Sequence, residues 1–193
     1  MKNLNIPPVT ATMSALCILA TLMTYVLSNT FYDYAFIPVI ADVEPWRYLT
    51  GAFLHGGVMH LGFNVLSLLF LGAELEPVMR KVSFAGLFLV SAVGGNAAVY
   101  LWALWTGQWN IAAVGASGAI FGLFGALVVL THAIKSDPRG ILVLLGINVV
   151  LAFTAPQISW QAHLGGFLTG LIFTAIWWQL RRRRQKEVNR GGW

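Results

Sequence analysis

Two long stretches of this chain carry no charged side chain. Val82 to Ile134 is 53 residues without an Asp, Glu, Lys or Arg, and Gly140 to Leu180 is 41 more. A single membrane crossing takes about 20 apolar residues, so each stretch suits two crossings and a connecting loop. Tyr48–Ala73 and Asn3–Tyr32 are also uncharged and supply one further helix each. The expectation is an all-α membrane protein, a six-helix transmembrane bundle forming one domain over 1–193, with helices at roughly 10–28, 58–75, 83–104, 117–134, 140–155 and 161–179. Only 10% of residues are charged, against about 25% in soluble domains, which points to lipid as the solvent.

The remaining charges orient the bundle. With six spans, the termini share a side with the loops at 79–82 and 135–139. That side holds Lys2, Arg80, Lys81, Lys135, Arg139, Arg181 to Arg184, Lys186 and Arg190, eleven of the twelve basic residues. The positive-inside rule places both ends in the cytoplasm, with 181–193 as a basic cytoplasmic tail. The net charge of +5 does not imply nucleic acid, because the cations sit at membrane edges and not on one soluble face. The single Cys17 excludes an internal disulfide framework. The first apolar run ends "YVLSNTF", without a small-x-small cleavage site, so it reads as an uncleaved helix and not a signal peptide.

Helices 2, 4 and 6 of this scheme all start at the outer face, and their starts hold the polar residues of the membrane segments. Helix 2 opens "HGGVMHLGFN", with His55, His60 and Asn64; helix 4 opens with Gly115, Ser117 and Gly118; helix 6 opens "QAHLGGFLTG", with His163. Polar groups inside a membrane are costly and usually face the bundle interior. His60 and Asn64 share a helix face at i, i+4. Gly118, Gly122 and Gly125 form a flat stripe on helix 4, and Gly166 and Gly170 a GxxxG on helix 6, patterns that let backbones approach closely. Packing accounts for those glycines, and it would carry Ser117 towards His163. A serine nucleophile needs an adjacent base, and histidine can serve near neutral pH. An oxyanion needs fixed donors, which a helix N-terminus at Ser117 and the side chains of His60 and Asn64 could supply. No carboxylate lies in helices 4 to 6, so a Ser-His dyad is expected in place of a triad. No HExxH is present, and His55 and His60, five apart, do not share a face as paired metal ligands would. No metal and no cofactor are expected.

Taken together, "GASG" around Ser117, "AHLGG" around His163, "HGGVMHLGFN" and "WRYLT" resemble the rhomboid family of intramembrane serine proteases in its six-helix bacterial form. The resemblance implies Ser117 as nucleophile, His163 as general base and then acid, and an oxyanion hole from the Ser117 N–H, His60 and Asn64. Gly115 and Gly118 match the family GxSG. Trp46 and Arg47 match a Trp-Arg pair that stabilises the first loop. His55 corresponds to a structural histidine, Glu76 to an anchor for a neighbouring loop, and Phe63 to an aromatic at the substrate entrance. Phe121 stands where members often carry a tyrosine packed on the catalytic histidine, so that contact lacks its hydroxyl here. The implied activity is hydrolysis of peptide bonds in or beside transmembrane segments of membrane-protein substrates, by a minimal core enzyme in the bacterial inner membrane. Two competing readings are a catalytically silent rhomboid-like protein that binds membrane clients, and a small transporter or channel subunit. The latter calls for polar groups along the full bilayer, whereas those here stop on one side.

Overall fold

Pro7-Pro8 opens the first helix, since proline at the first helical position gives up an N–H that has no intrahelical acceptor anyway. The structure, a computed structural model, describes residues 6–27, 29–131, 139, 143, 145–150 and 159–191. Its elements are α1 (Pro8–Val26), α2 (Thr30–Tyr34), α3 (Arg47–Thr50), α4 (Val58–Met79), α5 (Lys81–Thr106), α6 (Ser117–Leu130) and α7 (Trp160–Gly191), with 3-10 turns at Pro38–Ile40 and Gly51–Phe53. Residues 145–150 are helical as well. Among the described residues there is no strand, only an isolated antiparallel bridge between Phe36 and Ala113. The all-helical expectation holds, and α1, α4 and α5 are each long and apolar enough to cross a membrane.

Three helix ends differ most from expectation, the first being α4, which runs to Met79 where the sequence suggests 75. α6 stops at Leu130, with Thr131 in a turn, where the sequence suggests a run to 134. α7 does not end at 179 with a separate basic tail; it continues through Arg181–Arg184 to Gly191. Arg, Gln, Lys and Glu are good helix formers, and no Gly or Pro interrupts them before Gly191. The first loop, 29–57, contains two short helices and two 3-10 turns. The expected helix at 140–155, with His132 and Lys135 before it, lies mostly outside the described residues; Asn148 within it donates to Ser67 Oγ of α4 at 3.1 Å.

Helix directions follow from which residues meet. A Cβ added at Gly166 of α7 would strike the Gly118 carbonyl of α6, and one at Gly170 the Gly122 carbonyl. The contact numbers rise together, so α6 and α7 run parallel, backbone on backbone. On α5 the numbers run the other way: Gly95 meets Gly118 and Ala162, Gly86 meets Phe173, and Ser83 accepts from Trp177 Nε1 at 2.9 Å. α5 is therefore antiparallel to both. α6 is the central helix: of its residues, only Val128 and Val129 are not buried. A helix apolar all round is what a central position requires. The outward row Leu164, Leu168, Ile172, Ile176 and Leu180 of α7 stays exposed, a face for lipid.

Glu76 ties α1 to α4. Its carboxylate accepts the Val9 N–H (3.0 Å), the Thr10 N–H (2.8 Å) and the Thr10 hydroxyl (2.8 Å). It thus caps the start of a helix, whereas the sequence resemblance suggests a loop anchor. The capping accounts for a carboxylate that is 3% exposed, because the first N–H groups of α1 have no intrahelical acceptor and carry the positive end of the helix dipole.

Candidate active site

Ser117, His60, Asn64 and His163 fall at one end of the bundle because α4, α6 and α7 all start there. Ser117 is the first residue of α6, His60 lies in the first turn of α4 and His163 in the first turn of α7. The seam of Gly118, Gly122 and Gly125 against Gly166, Gly170 and Phe167 sets how close α6 and α7 come. Within that seam the His163 ring stacks on Phe121, with centroids 4.1 Å apart and planes 12° off parallel. Phe121 lies at i+4 from Ser117, on the same helix face, so the imidazole covers the turn that begins with the serine. Both residues are buried, at 8% and 5% exposure. No hydrogen bond joins them in this structure: both His163 ring nitrogens are buried without a partner. The Phe121 ring contributes stacking and no hydroxyl.

α6 starts at Ser117 without a side-chain cap, so its first N–H groups lie ahead of the intrahelical ladder and point out of the helix end. The residue before the cap is Gly115, at φ +115°, in the left-handed region. A Cβ there would also lie 2.7 Å from His60 Cε1 and 2.8 Å from its Nε2. Two separate constraints therefore demand glycine, and the second brings the His60 ring against the approach to Ser117. His60 Nε2 is buried and unpartnered. Asn64 spends one amide hydrogen on the His60 carbonyl (2.8 Å); an amide carries two donors, so a second remains. Phe63 beside it is half-buried.

His55 holds this end together. The Ala116 N–H donates to His55 Nε2 at 3.4 Å, so the ring proton is on Nδ1 and donates to Thr21 Oγ1 at 3.1 Å. The Thr21 hydroxyl then points to the Phe53 carbonyl at 3.5 Å. This relay needs a neutral ring, and burial, helped by nearby His60, pushes the His55 pKa down to about 3. The entry to α6 is thereby fastened to α1.

Loop 29–57 braces the same end. Arg47 is 4% exposed and donates to the carbonyls of Tyr32 (2.6 Å) and Ala35 (2.8 Å), with Glu44 as its ion partner. Its neighbour Trp46 is half exposed and shares none of these bonds. Phe36 pairs its backbone with Ala113 (2.8 and 3.2 Å), and Gly115 N–H donates to the Gly51 carbonyl at 3.0 Å. Loop 1 thus sets the segment that leads into Ser117.

Two neighbours of Ser117 escape a reading of the sequence. Asn96 of α5 and Ser159 line a small cavity with Ser117, Gly115 and Gly118. Ser159 Oγ accepts the Ala162 N–H at 3.2 Å, capping the helix that carries His163. A serine just ahead of an apolar run is the available signal. Asn96 donates to the Tyr48 carbonyl at 2.9 Å, a partner 48 residues away that no local pattern reveals.

Known proteins are similar to this chain over most of its length. The family model described as "Rhomboid domain" matches residues 42–180. "Putative rhomboid protease YdcA" of Bacillus subtilis (strain 168) is 33% identical over 75% of this chain and 73% of its own length. RHOMBOID-like protein 2 of Arabidopsis thaliana is 37% identical over 79% of this chain, and Rhomboid protease GluP of Bacillus subtilis 31% identical over 71%. The chain spans 50% and 27% of these last two. With the match reaching from loop 1 to the end of the apolar part of α7, this chain belongs to the rhomboid family of intramembrane proteases.

Proposed function

We propose that this chain is an active intramembrane serine endopeptidase working through a Ser117–His163 dyad. The observation that carries the reading is the α6–α7 seam: glycine backbones in direct contact, with the His163 ring laid over the turn that Ser117 begins. Ser117 Oγ attacks the substrate carbonyl carbon while a ring nitrogen of His163 takes its proton. The tetrahedral oxyanion lies at the α6 N-terminus, facing the Ser117 N–H, the second amide hydrogen of Asn64 and His60 Nε2, a buried nitrogen with no partner to give up. His163 then protonates the leaving amine, and water hydrolyses the acyl-serine by the same route in reverse. The serine–histidine hydrogen bond forms when substrate fills the site; such bonds are often long in substrate-free structures.

The substrate is a membrane protein cut in or beside a transmembrane segment. An intact helix hides its carbonyls in its own hydrogen bonds, so small or helix-destabilising residues near the cut favour cleavage. α6 and α7 run parallel, so both start at the same end of the bundle. That supports six spans, a single domain over 1–193, and both termini on the side rich in Arg and Lys, the cytoplasm of a bacterial inner membrane. A second reading, a silent client-binding protein, draws on the unpartnered His163 nitrogens and the absent hydroxyl at Phe121.

Purified protein incubated with a reporter transmembrane substrate separates the two. Ser117→Ala and His163→Ala are expected to stay folded and to lose cleavage by roughly 10⁴-fold or more. A fluorophosphonate should label the wild type and not Ser117→Ala. Folded Ser117→Ala that still cuts at the wild-type rate refutes the dyad; no cleavage and no labelling by the wild type favours the silent reading.

A further inference from the structure

The end of the bundle opposite Ser117 has two clefts of its own. There α4 gives way to α5 at Arg80, and the last apolar turns of α7 pass beside that junction. Met79, Arg80, Ser83, Trp177, Leu180, Arg181 and Arg184 line a cleft of about 350 Å³ between them. A second cleft shares Arg80 and Ser83 and adds Lys81 and Val82. Arg181 is fixed in place: it donates to the Val78 carbonyl at 2.7 Å and lies over the Trp177 ring, 5.2 Å from its centroid. Among the described residues the one salt bridge is Arg47–Glu44; Glu76 lines the second cleft, but its carboxylate is taken up by the Val9 and Thr10 N–H groups and the Thr10 hydroxyl and forms no ion pair with Arg80, Arg181 or Arg184.

The backbone at Arg80 is the second observation. Its φ is 69° and ψ 157°, a region that glycine enters freely and other residues enter only with strain. The other described non-glycine residue at positive φ is Asn29, a type that tolerates it. Glycine would make the α4–α5 turn without that strain; arginine adds a guanidinium over both clefts. The rim fixes the kind of ligand. Leu180 and Val82 are exposed and apolar beside Arg181 and Lys81, and Trp177 has its N–H on Ser83, the amphipathic arrangement of a bilayer interface.

We infer that this cleft is a headgroup site for an anionic phospholipid, its phosphodiester held by Arg80, Arg181 and Arg184 and its acyl chains laid along Val82 and Leu180. The ligand joins the α4–α5 junction to the far end of the helix that carries His163.

Native mass spectrometry of the whole protein in neutral detergent, titrated with phosphatidylglycerol or phosphatidylcholine, tests this. A cation in direct contact with the bound headgroup contributes about fivefold in affinity for anionic lipid. Arg80→Gln/Arg184→Gln should therefore weaken phosphatidylglycerol binding roughly 30-fold. Arg183→Gln, outside the cleft, should change it less than twofold, and phosphatidylcholine should bind no variant tightly. Arg80→Gly should weaken phosphatidylglycerol binding about fivefold while its unfolding temperature holds or rises, an outcome a merely structural arginine would not give. Unchanged phosphatidylglycerol affinity in the double variant, or in Arg80→Gly if the double variant does not fold, overturns the proposal. So does an equal loss in Arg183→Gln, which would mean diffuse charge, or equal occupancy by millimolar inorganic phosphate, which would mean a free-anion site.

Discussion

Replacing Gly166 by alanine adds one methyl group where the structure has no room for it. The new Cβ would sit on the Gly118 carbonyl, 2.7 Å from its carbon and 3.1 Å from Gly118 Cα. Both are backbone atoms of the central helix, so no side chain can swing aside; α7 has to move off α6. The carbonyl oxygen is nearer still, so restoring ordinary contact at 3.4 Å takes a shift of roughly 1.5 Å; a misplacement of even about 1 Å costs on the order of 100-fold in a reaction that depends on near-attack geometry. Overpacking should also lower stability by about 1–3 kcal/mol. Gly62 of α4 is the control, because a Cβ there meets nothing within 4 Å. Gly62→Ala should leave cleavage unchanged and stabilise the helix by about 0.5–1 kcal/mol. Cleavage of a reporter substrate and thermal unfolding in the same detergent read both effects. If Gly166→Ala cuts and melts like the wild type, the α6–α7 seam does not set the position of His163, and the reasoning that links packing to chemistry fails.

Arg47→Ala should destabilise the protein by about 1–3 kcal/mol, since it strands the buried Ala35 carbonyl and removes the bonds to the Tyr32 carbonyl and to Glu44, whose side chain is 33% exposed; Arg47→Lys should recover only part of this, because one ammonium cannot reproduce the guanidinium fork, and unfolding temperatures check both. His55 predicts a pH dependence of stability: its folded pKa of about 3 lies below the ordinary 6.5, so below about pH 6.5 the unfolded chain binds a proton that the folded chain does not. Its contribution is complete above pH 6.5 and declines as pH falls from there towards 3. The fall in unfolding temperature between pH 7.5 and pH 5 should be smaller in His55→Gln, and an identical fall in both proteins would refute the relay of neutral contacts through that ring.

The sequence already carries the helix directions, because a membrane helix needs a charge-free run and alternate runs must point opposite ways. From that parity alone, Ser117, His60, Asn64 and His163 belong at starts of helices on one side. The glycine spacing on α6 and α7 also marks two faces suited to close approach. Helix ends are less legible: the end of α7 lies past Leu180 because helix propensity continues where hydrophobicity stops, and a hydropathy reading follows only the latter. Asn96 and the Ala116–His55–Thr21 relay are invisible for another reason. Their partners lie tens of residues away, and a polar residue in an apolar run shows that it needs a partner without showing which.

The sequence by itself determined an all-helical membrane protein, the side on which its cations collect, and the residue types at the mouth of each helix, since these depend on transfer from water to lipid residue by residue. Only the tertiary structure decided that α6 is the central helix, that Phe121 and His163 stack, that Glu76 caps α1 and that Arg80 makes a strained turn over a basic cleft. In lipid, apolar surface does not discriminate between neighbouring helices; neighbours are chosen by backbone fit and by hydrogen bonds between residues far apart in the chain, and both exist only once the helices are side by side.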